Sequence, residues 1–459
     1  MSDASNNASC PCGSGARIEE CCGKQNGLAH GQSPGDRAAT LLSIKRSALM
    51  AYREGALDGA ERLCRTFLAA SPDDAEVLHL LGQVRHVQGD SWEALVLVQR
   101  AGELTEWAHP ALSKNLGHII EGLQKLVGAD RNPEVLEKKS ACTAWVSKVK
   151  AEAISANPLV SVIVPSYNHG RYVEEALRSV FAQRYRNIEL IVIDDGSQDG
   201  SPEIISRCIR HCPFENTVVA RDNRGAVATI QEGLSLARGE FFNVLHSDDA
   251  FHPDRLATLV REVAAKGNQW GFTSVGFIDA GSREIERSDD YPIAYLTRQL
   301  ARAGADYSIG MALLSENISI STGNLFISRS FHERIGGFHP LIFTEDWEFC
   351  LRATRYAEPV FVPEKLFRYR FHGKNTILRD RESATKEADS VFKEYFREAL
   401  NGRPWPNPFA PSCAVWGDAF LCKLLCMGLP LREEFPDVGR AMLDRWRSLA
   451  PGRGGGSVA

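Results

Sequence analysis

Four short apolar segments in the middle of the chain each end in a polar or acidic turn. They cover residues 160–164, 188–193, 217–220 and 241–245. The segments between them carry apolar residues at the three- and four-residue spacing of helices that bury one face, as in residues 172–183. Strands that alternate with helices at this spacing predict an α/β fold built on a parallel, doubly wound sheet.

Two acidic pairs lie just beyond the carboxyl ends of the second and fourth predicted strands. They are Asp194 with Asp195 and Asp248 with Asp249. In open α/β sheets ligands bind at this edge, and carboxylates that converge there repel one another unless a cation or hydrogen-bond donors join them. Mg²⁺ and Mn²⁺ bind carboxylate and phosphate oxygens together, so the pattern favours a cation that holds a diphosphate. The alternative for either pair alone is a strand-end turn or a helix cap.

Further motifs follow in a fixed order through residues 158–378. They are Val160–Ser201, Asn223–Gly225, Ala237–Glu240, Ser247–Asp249, Gly336–Phe338, Thr344–Glu348 and Tyr369–His372. Together they resemble the motifs of family 2 glycosyltransferases, over nearly half of the chain. The resemblance implies a GT-A fold, that of the nucleotide-diphospho-sugar transferases. It also implies an inverting transfer of a sugar from a nucleotide-sugar donor to a hydroxyl acceptor, which would be a cell-surface glycan precursor or, with less support, a protein.

The resemblance assigns the nucleotide of the donor to the ends of the first two strands. Pro165, Ser166 and Tyr167 would lie against the base, where an aromatic face stacks well. Asp194 or Asp195 would accept hydrogen bonds from the base, and the sequence does not favour one over the other.

The same resemblance places a catalytic Mn²⁺ or Mg²⁺ beside the fourth strand. Asp248 would contact the ribose and the metal, Asp249 would be the main metal ligand, and His372 would approach from the C-terminal side. The family usually has an aspartate where this chain has His246. That imidazole would either ligate a transition metal or make a strand-end hydrogen bond, and the second role is favoured.

The acceptor side would be formed by the acidic motif near residue 346. Asp346 would be the general base that takes the proton of the acceptor hydroxyl. Glu345 and Trp347 would line the acceptor side, although acidic residues also suit the first turn of a helix. The family often has an arginine that reaches the diphosphate where this chain has residues 229–231, and Arg224 is the substitute that the sequence offers.

Residues 37–125 resemble tetratricopeptide repeats. Small residues recur 34 positions apart in three pairs, which are Ala48 with Gly82, Gly55 with Gly89, and Ala60 with Ala94. The repeat interpretation predicts a concave surface for protein partners, whereas the alternative is a plain helical bundle with chance spacing. Residues 126–157 are expected to form a helical linker, and residues 379–459 a C-terminal helical segment with a flexible tail.

Residues 1–26 contain four of the twelve cysteines, namely Cys10, Cys12, Cys21 and Cys22. Two close pairs of thiolates are able to complete a tetrahedron around one Zn²⁺. The segment resembles the SEC-C zinc motif, which implies a structural zinc site and a docking element. The alternative is a disordered tail with reactive cysteines.

Composition limits the partners and the compartment. The formal net charge of -5 gives no general attraction to nucleic acid, and the sequence contains neither a secretory signal pattern nor a long apolar segment. A cytoplasmic protein, at most peripheral to the inner face of the membrane, is expected. The competing hypothesis is an adaptor in which the zinc motif and repeats bind partners and the GT-A domain is catalytically inert.

Overall fold

The structure is a computed structural model of the chain that describes residues 34–105, 108, 110–127, 133–146, 157–286, 293–302, 306–373, 375, 380–427, 435 and 438. The described residues form two compact units, one of five helices and one built on a sheet. Cys10, Cys12, Cys21 and Cys22 lie outside the described residues, so the zinc motif stays a prediction.

The helical unit consists of α1 (Pro34–Arg53), α2 (Leu57–Ala70), α3 (Ala75–Val87), α4 (Ser91–Leu104) and α5 (Pro110–Val127). Each helix packs on the next one. Gly55 and Gly89 lie in the turns after α1 and α3 with φ of 76° and 90°, a region that disfavours residues with a Cβ. Two equivalent turns 34 residues apart agree with the spacing in the sequence, and the assignment to tetratricopeptide repeats stays a prediction.

The second unit contains one sheet of eight strands. The strands are β1 (Val160–Ser166), β2 (Ile188–Asp194), β3 (Glu215–Ala220), β4 (Phe241–Val244), β5 (Ala250–Phe251), β6 (Trp270–Ile278), β7 (Leu325–Ser328) and β8 (Val360–Arg370). Their spatial order is β3-β2-β1-β4-β7-β6-β8-β5. The first four are parallel neighbours, with Val162 opposite Leu190 on one side and Asn243 on the other.

The prediction of a parallel sheet is confirmed for β1 to β4 and for the pair β6–β8, and it is wrong for β7 and β5. Strand β7 is antiparallel to both β4 and β6, and β5 is antiparallel to β8. Hydrophobic periodicity reports which residues are buried and carries no information on the direction of pairing, so the sequence could not show this change. The resulting mixed sheet with flanking helices matches the GT-A expectation.

Helices and tight turns cover the sheet and extend beyond it. They are α6 (Pro133–Val146), α7 (Val173–Phe181), α8 (Ser201–Ile209), α9 (Ala226–Leu236), α10 (Arg255–Leu259), a π-helical turn (Val260–Ala264), α11 (Ile293–Arg302), α12 (Ile309–Ser315), a 3₁₀ turn (Thr322–Asn324), α13 (Arg329–Arg334), α14 (Glu345–Ala353), α15 (Arg381–Ala399), α16 (Cys413–Trp416) and α17 (Asp418–Cys426). The apolar face of α7 is fully buried against the sheet. This accounts for the helical periodicity of that segment.

The strand directions bring distant segments to one edge. Ser166 at the end of β1 lies opposite Asp194 at the end of β2. Two antiparallel steps, β4 to β7 and β7 to β6, restore the direction of β1, and β8 is parallel to β6. The end of β8 therefore lies at the same edge of the sheet as the ends of β1, β2 and β4.

Candidate active site

Three side chains from three segments converge beyond the ends of β1, β4 and β8. His372 Nε2 lies 2.9 Å from Asp248 Oδ2, and His169 Nε2 lies 3.8 Å from the same oxygen. One ligand atom from each of these residues lies within 4.8 Å of the other two, and no other such group occurs in the described part of the chain. We call His169, Asp248 and His372 the histidine–aspartate cluster. Sequence reasoning predicted two of its members and missed His169.

The pKa of Asp248 shows that its charged form is stabilised by the cluster. Burial raises this pKa, but the hydrogen bond with His372 and the charges of the nearby histidines outweigh burial and bring it to about 2. The ring of His372 also stacks on Tyr172, with ring centroids 5.2 Å apart. An anionic oxygen next to two imidazole nitrogens is a donor set suited to a divalent transition-metal ion.

Arg370 fixes the turn that carries Asp248 and Asp249. Its backbone N–H donates to Asp249 Oδ1 at 2.9 Å, and its side-chain Nε donates to the Asp248 carbonyl at 2.6 Å. The fully buried guanidinium also donates to Glu175 of α7 and to Ser282. Burial and the charge of Asp248 raise the pKa of Asp249 well above its ordinary value. Asp249, predicted as the main metal ligand, thus binds the end of β8 and is not part of the histidine–aspartate cluster.

His246 lies directly before this turn. Its carbonyl accepts the Asp249 N–H at 3.0 Å, which closes the turn. Burial lowers the pKa of its imidazole and favours the neutral form. The ring is likewise not a member of the histidine–aspartate cluster.

The two acidic residues at the end of β2 hold loops. Asp194 accepts from the backbone N–H and the hydroxyl of Ser197 at 2.9 and 2.7 Å. Asp195 accepts from the backbone N–H groups of Arg224 and Gly225 at 2.8 and 2.9 Å, and it pairs with the guanidinium of Arg221. Both carboxylates therefore hold the loops at this edge of the sheet in place. The contact of one of them with the nucleotide base stays a prediction.

Arg221 is a second residue that sequence reasoning missed. It follows β3, and besides Asp195 it contacts Glu232 Oε2 at 2.7 Å and Thr229 Oγ1 at 2.9 Å. It therefore places a guanidinium beside residues 229–231, where the family motif suggested that a cation was missing. Arg224 contributes its backbone to the site, and its side chain is largely exposed.

The residues predicted to contact the nucleotide base differ in exposure. Pro165 and Ser166 are buried within β1, and Tyr167 beyond it is 48% exposed. The hydroxyl of Ser166 is buried and has no hydrogen-bond partner among the described residues. A buried hydroxyl in this state is a candidate partner for a ligand atom.

A pair of carboxyl groups, Asp346 buried and Glu345 partly buried, begins α14. Asp346 Oδ2 accepts from Asn317 Nδ2 at 2.9 Å, and Asp346 Oδ1 accepts from the Trp347 N–H at 2.7 Å. Glu345 accepts from Thr322 Oγ1 at 3.2 Å. Burial, followed by the negative charge of Asp346, raises the pKa of Glu345 to about 8. Burial raises the pKa of Asp346 as well. Glu345 is therefore largely protonated at neutral pH.

Trp347 packs between helices. Its indole N–H donates to the Leu313 carbonyl of α12 at 2.7 Å, and its ring meets Phe392 of α15 edge to face at 4.9 Å. These contacts fix the direction in which α14 enters the site. The predicted acceptor contact of Trp347 stays a prediction.

Tyr369 connects the two acidic regions. Burial raises the pKa of its phenol, and the charges of Asp249, Asp248 and Asp346 raise it further. All three carboxyl groups therefore act on one partly buried side chain at the end of β8. Two contacts join the same regions: Thr322 donates to Glu345 at 3.2 Å, and a Cβ on the neighbouring Gly323 would lie 3.3 Å from the His246 ring. This brings the predicted metal site and the predicted general base together at one edge of the sheet.

Comparisons with known proteins show that the chain is similar to glycosyltransferases. Residues 161–336 match the family described as "Glycosyl transferase family 2". An uncharacterized glycosyltransferase of Rickettsia typhi is 29% identical over 222 residues, which are 48% of this chain and 66% of that protein. Glycosyltransferase GlyG of Streptococcus pneumoniae is 38% identical over 111 residues, 24% of this chain and 36% of that protein. The chain thus spans less than two thirds of the length of these relatives.

Two solved structures show a limited likeness to this chain, at low identity. The mannosyltransferase PcManGT of Pyrobaculum calidifontis, in complex with GDP-Man and Mn²⁺, has a TM-score of 0.44 and 18% identity over 72% of this chain and 87% of its own. S. aureus TarS 1-349 in complex with UDP-GlcNAc has a TM-score of 0.43 and 18% identity over 64% of this chain and 82% of its own. The family match ends before Asp346 and His372. Residues 161–336, which carry most of the sheet and Asp248, are therefore the part of the chain that is similar to the glycosyl transferase family 2 model.

Proposed function

We propose that the sheet unit transfers a sugar from a nucleotide-sugar donor to a hydroxyl acceptor, with inversion at the anomeric carbon and with Asp346 as general base. The acceptor class that fits best is a cell-surface glycan precursor. The observation that carries the proposal is that residues 322–323 contact both regions: Thr322 donates to Glu345, and Gly323 lies against His246, directly before the turn that bears Asp248 of the histidine–aspartate cluster. One side of this edge offers ligands to a cation, and the other offers a buried carboxylate.

The state of the carboxyl pair supports the role of Asp346. Asp346 is the member of the pair that receives two N–H hydrogen bonds, which stabilise its charged form. Glu345, with a pKa of about 8, is protonated at neutral pH and has a proton to donate. A charged Asp346 takes the proton of the acceptor hydroxyl, while a neutral Glu345 is suited to hydrogen-bond a sugar oxygen.

The donor diphosphate would lie at the histidine–aspartate cluster. Asp248 and His372 provide an anionic oxygen and an imidazole nitrogen that fit Mn²⁺ or Mg²⁺. Such a cation stabilises the charge that develops on the leaving diphosphate. The nucleotide would extend towards Ser166, whose buried hydroxyl needs a partner, and Tyr167, whose exposed ring is available to stack.

Replacing Asp346 with asparagine tests the proposal. Purified protein is assayed for metal-dependent transfer or hydrolysis across common nucleotide sugars. The Asp346→Asn variant should lose at least about a hundredfold in turnover, because the amide cannot accept the proton. Nucleotide binding, measured as protection against heating, should persist, since Asp346 lies away from the proposed position of the nucleotide base.

The control variant is Asp73→Asn, an exposed aspartate of the helical unit. It should retain full turnover. Equal loss of turnover and nucleotide binding in the Asp346→Asn variant would contradict the assignment of Asp346 as general base. Wild-type protein without metal-dependent turnover on any donor would favour the inert adaptor.

The proposal also covers the two segments that precede the sheet unit in the sequence. We retain the zinc motif at Cys10, Cys12, Cys21 and Cys22 as a docking element, and the helical unit as a surface for protein partners. Zinc content of the purified chain tests the first, because four thiolates should hold one ion per chain. In the part of the chain that the structure describes, no helix is long and apolar enough to cross a bilayer. A cytoplasmic location remains part of the proposal.

A further inference from the structure

We infer that His169, rather than Asp249, is the third protein ligand of the cation in this chain, which gives a centre of two imidazoles and one carboxylate. The inference rests on the proposed function for the presence of a cation, and it names the ligands and the class of metal. A centre of this composition binds Mn²⁺ and related transition-metal ions in preference to Mg²⁺.

The contacts of His169 orient one ring nitrogen towards Asp248. Its Nδ1 lies 2.9 Å from Ser247 Oγ. When Nδ1 carries the proton and donates it to this hydroxyl, Nε2 keeps its lone pair, and Nε2 is the atom 3.8 Å from Asp248 Oδ2. Metal-bound histidines commonly have their second nitrogen fixed in this way by an outer hydrogen-bond partner.

The loop that carries His169 is held in a strained conformation. Asn168 has a φ of 54°, which is uncommon for a residue other than glycine. Three hydrogen bonds to the loop after β2 hold it there: Asn168 N–H to Ser197, Gln198 N–H to Asn168, and Gly170 N–H to Asp199, at 2.8–2.9 Å. Such strain persists where the surroundings enforce it and is frequent at functional sites. The imidazole is thus presented to Asp248 from a fixed backbone.

Asp249 has a different set of contacts. Its Oδ1 accepts the N–H of Arg370, two residues before His372. The carboxylate thereby fixes the end of β8 and, with it, the position of His372. This makes Asp249 a positioning residue for a ligand, and it explains why an acid is present there without assigning it to the metal.

The spacing of the cluster suits one ion. Metal–ligand bonds of about 2.1 Å place neighbouring ligand atoms about 3 Å apart. The two nitrogens and the oxygen lie within 4.8 Å of one another, so small side-chain movements bring them to this distance. Mg²⁺ prefers a shell of oxygen ligands, whereas imidazole nitrogen suits transition-metal ions such as Fe²⁺, Ni²⁺ and Zn²⁺, a series in which Mn²⁺ is the weakest binder. The donor set therefore selects against Mg²⁺.

Electron paramagnetic resonance of Mn²⁺ added to the full chain, without donor or acceptor, tests the inference. Loss of the free-ion signal gives the Kd, competition with Mg²⁺ gives the selectivity, and pulsed experiments report the nitrogens bound to the ion. Wild type should show two imidazole nitrogens. His169→Gln should show one, with a Kd raised by about tenfold or more. His169→Asn serves as the second variant, and His252→Gln, outside the cluster, should match wild type.

The variant Asp249→Asn decides between the two candidate ligands. It should retain both nitrogen couplings and lose far less affinity than His169→Gln, with Asp249→Glu as a second variant if the asparagine form does not fold. The inference is overturned if wild type binds no Mn²⁺, if His169→Gln keeps both couplings, or if the Asp249 variants lose the ion. These readouts do not depend on sugar transfer, so a failure of the proposed transferase activity is seen separately.

Discussion

Asn317 determines how the carboxylate of Asp346 is presented. Ser319 Oγ donates to Asn317 Oδ1 at 2.6 Å, so the amide nitrogen of Asn317 must face Asp346. Asn324 Nδ2 in turn holds the Ser319 carbonyl at 3.0 Å, and Asn324 accepts from the buried guanidinium of Arg255. A chain of buried polar groups therefore extends from α10 to the predicted general base, and each member fixes the orientation of the next.

Replacing Asn317 with alanine should change the pH dependence of transfer. The hydrogen bond from Asn317 lowers the pKa of Asp346, against the rise that burial causes. Without it, Asp346 holds its proton to a higher pH, so the acidic limb of kcat should move to higher pH. Activity should fall most at acidic pH and recover as the pH rises.

Asn216→Ala, an exposed asparagine on β3, is the matched control for this variant. Its pH profile should coincide with that of wild type. A uniform loss of activity at every pH in Asn317→Ala would indicate a general structural effect and would contradict the assignment.

At the residue scale the sequence reveals motif members and misses their partners. Asp248, Asp346 and His372 are predictable because each lies in a short motif whose order is characteristic. Asn317 and Arg370 were missed because their site contacts are with Asp346 and Asp249, which lie far away in the sequence. The signal for His169 was its place directly beyond β1, at the ligand-binding edge of the sheet.

At the element scale, helix α9 lies unusually close to β1. A Cβ on Gly233 would come within 2.4 Å of Ile163 Cγ2, and Gly233 itself is buried. Ile163 is in the middle of β1, whose neighbours on both sides are hydrogen-bonded strands, so its backbone cannot move away cheaply. The absence of a side chain at residue 233 therefore sets the distance between this helix and the strand that leads to His169.

Gly233→Ala should destabilise the protein by about 1–3 kcal/mol, although alanine is the better helix former. Denaturant unfolding followed by circular dichroism measures the change. Ser235→Ala, an exposed position two residues further along α9, should stay within about 0.5 kcal/mol of wild type. If Gly233→Ala proved as stable as Ser235→Ala, the close approach of α9 to β1 would be wrong.

Element boundaries were more predictable than element directions. The helix expected between the third and fourth predicted strands is Ala226–Leu236, and the one expected at 172–183 is Val173–Phe181. Both have one apolar face that the sequence displays directly. Strand β6 is buried along almost its whole length, and its pairing with β7 and β8 depends on contacts that no local pattern encodes.

At the scale of the whole molecule, the sheet unit carries several buried carboxyl groups with raised pKa values. Glu345 and Asp346 belong to the candidate site, and Glu358 lies outside it, before β8. Glu358 accepts from the Gly310 N–H at 2.7 Å and from Asn407 Nδ2 at 3.2 Å, so it connects α12 to the C-terminal segment. Because it is remote from the cluster, its effect on stability is separable from function.

Burial raises the pKa of Glu358 from 4.5 to about 7, against the lowering effect of its hydrogen bonds. A carboxyl with a higher pKa in the folded chain binds its proton more tightly there. Its stabilising contribution is therefore complete below pH 4.5 and is lost as the pH rises through 7.

Glu358→Gln removes this dependence of stability on pH. Between pH 5 and pH 8 the wild type should lose about 2–3 kcal/mol more stability than the variant, measured by denaturant unfolding at both pH values. Glu364→Gln, an exposed position on β8, should follow the wild-type curve. Parallel pH curves for wild type and Glu358→Gln would show that Glu358 is already ionised in the folded chain at pH 5, contrary to the burial that the structure gives it.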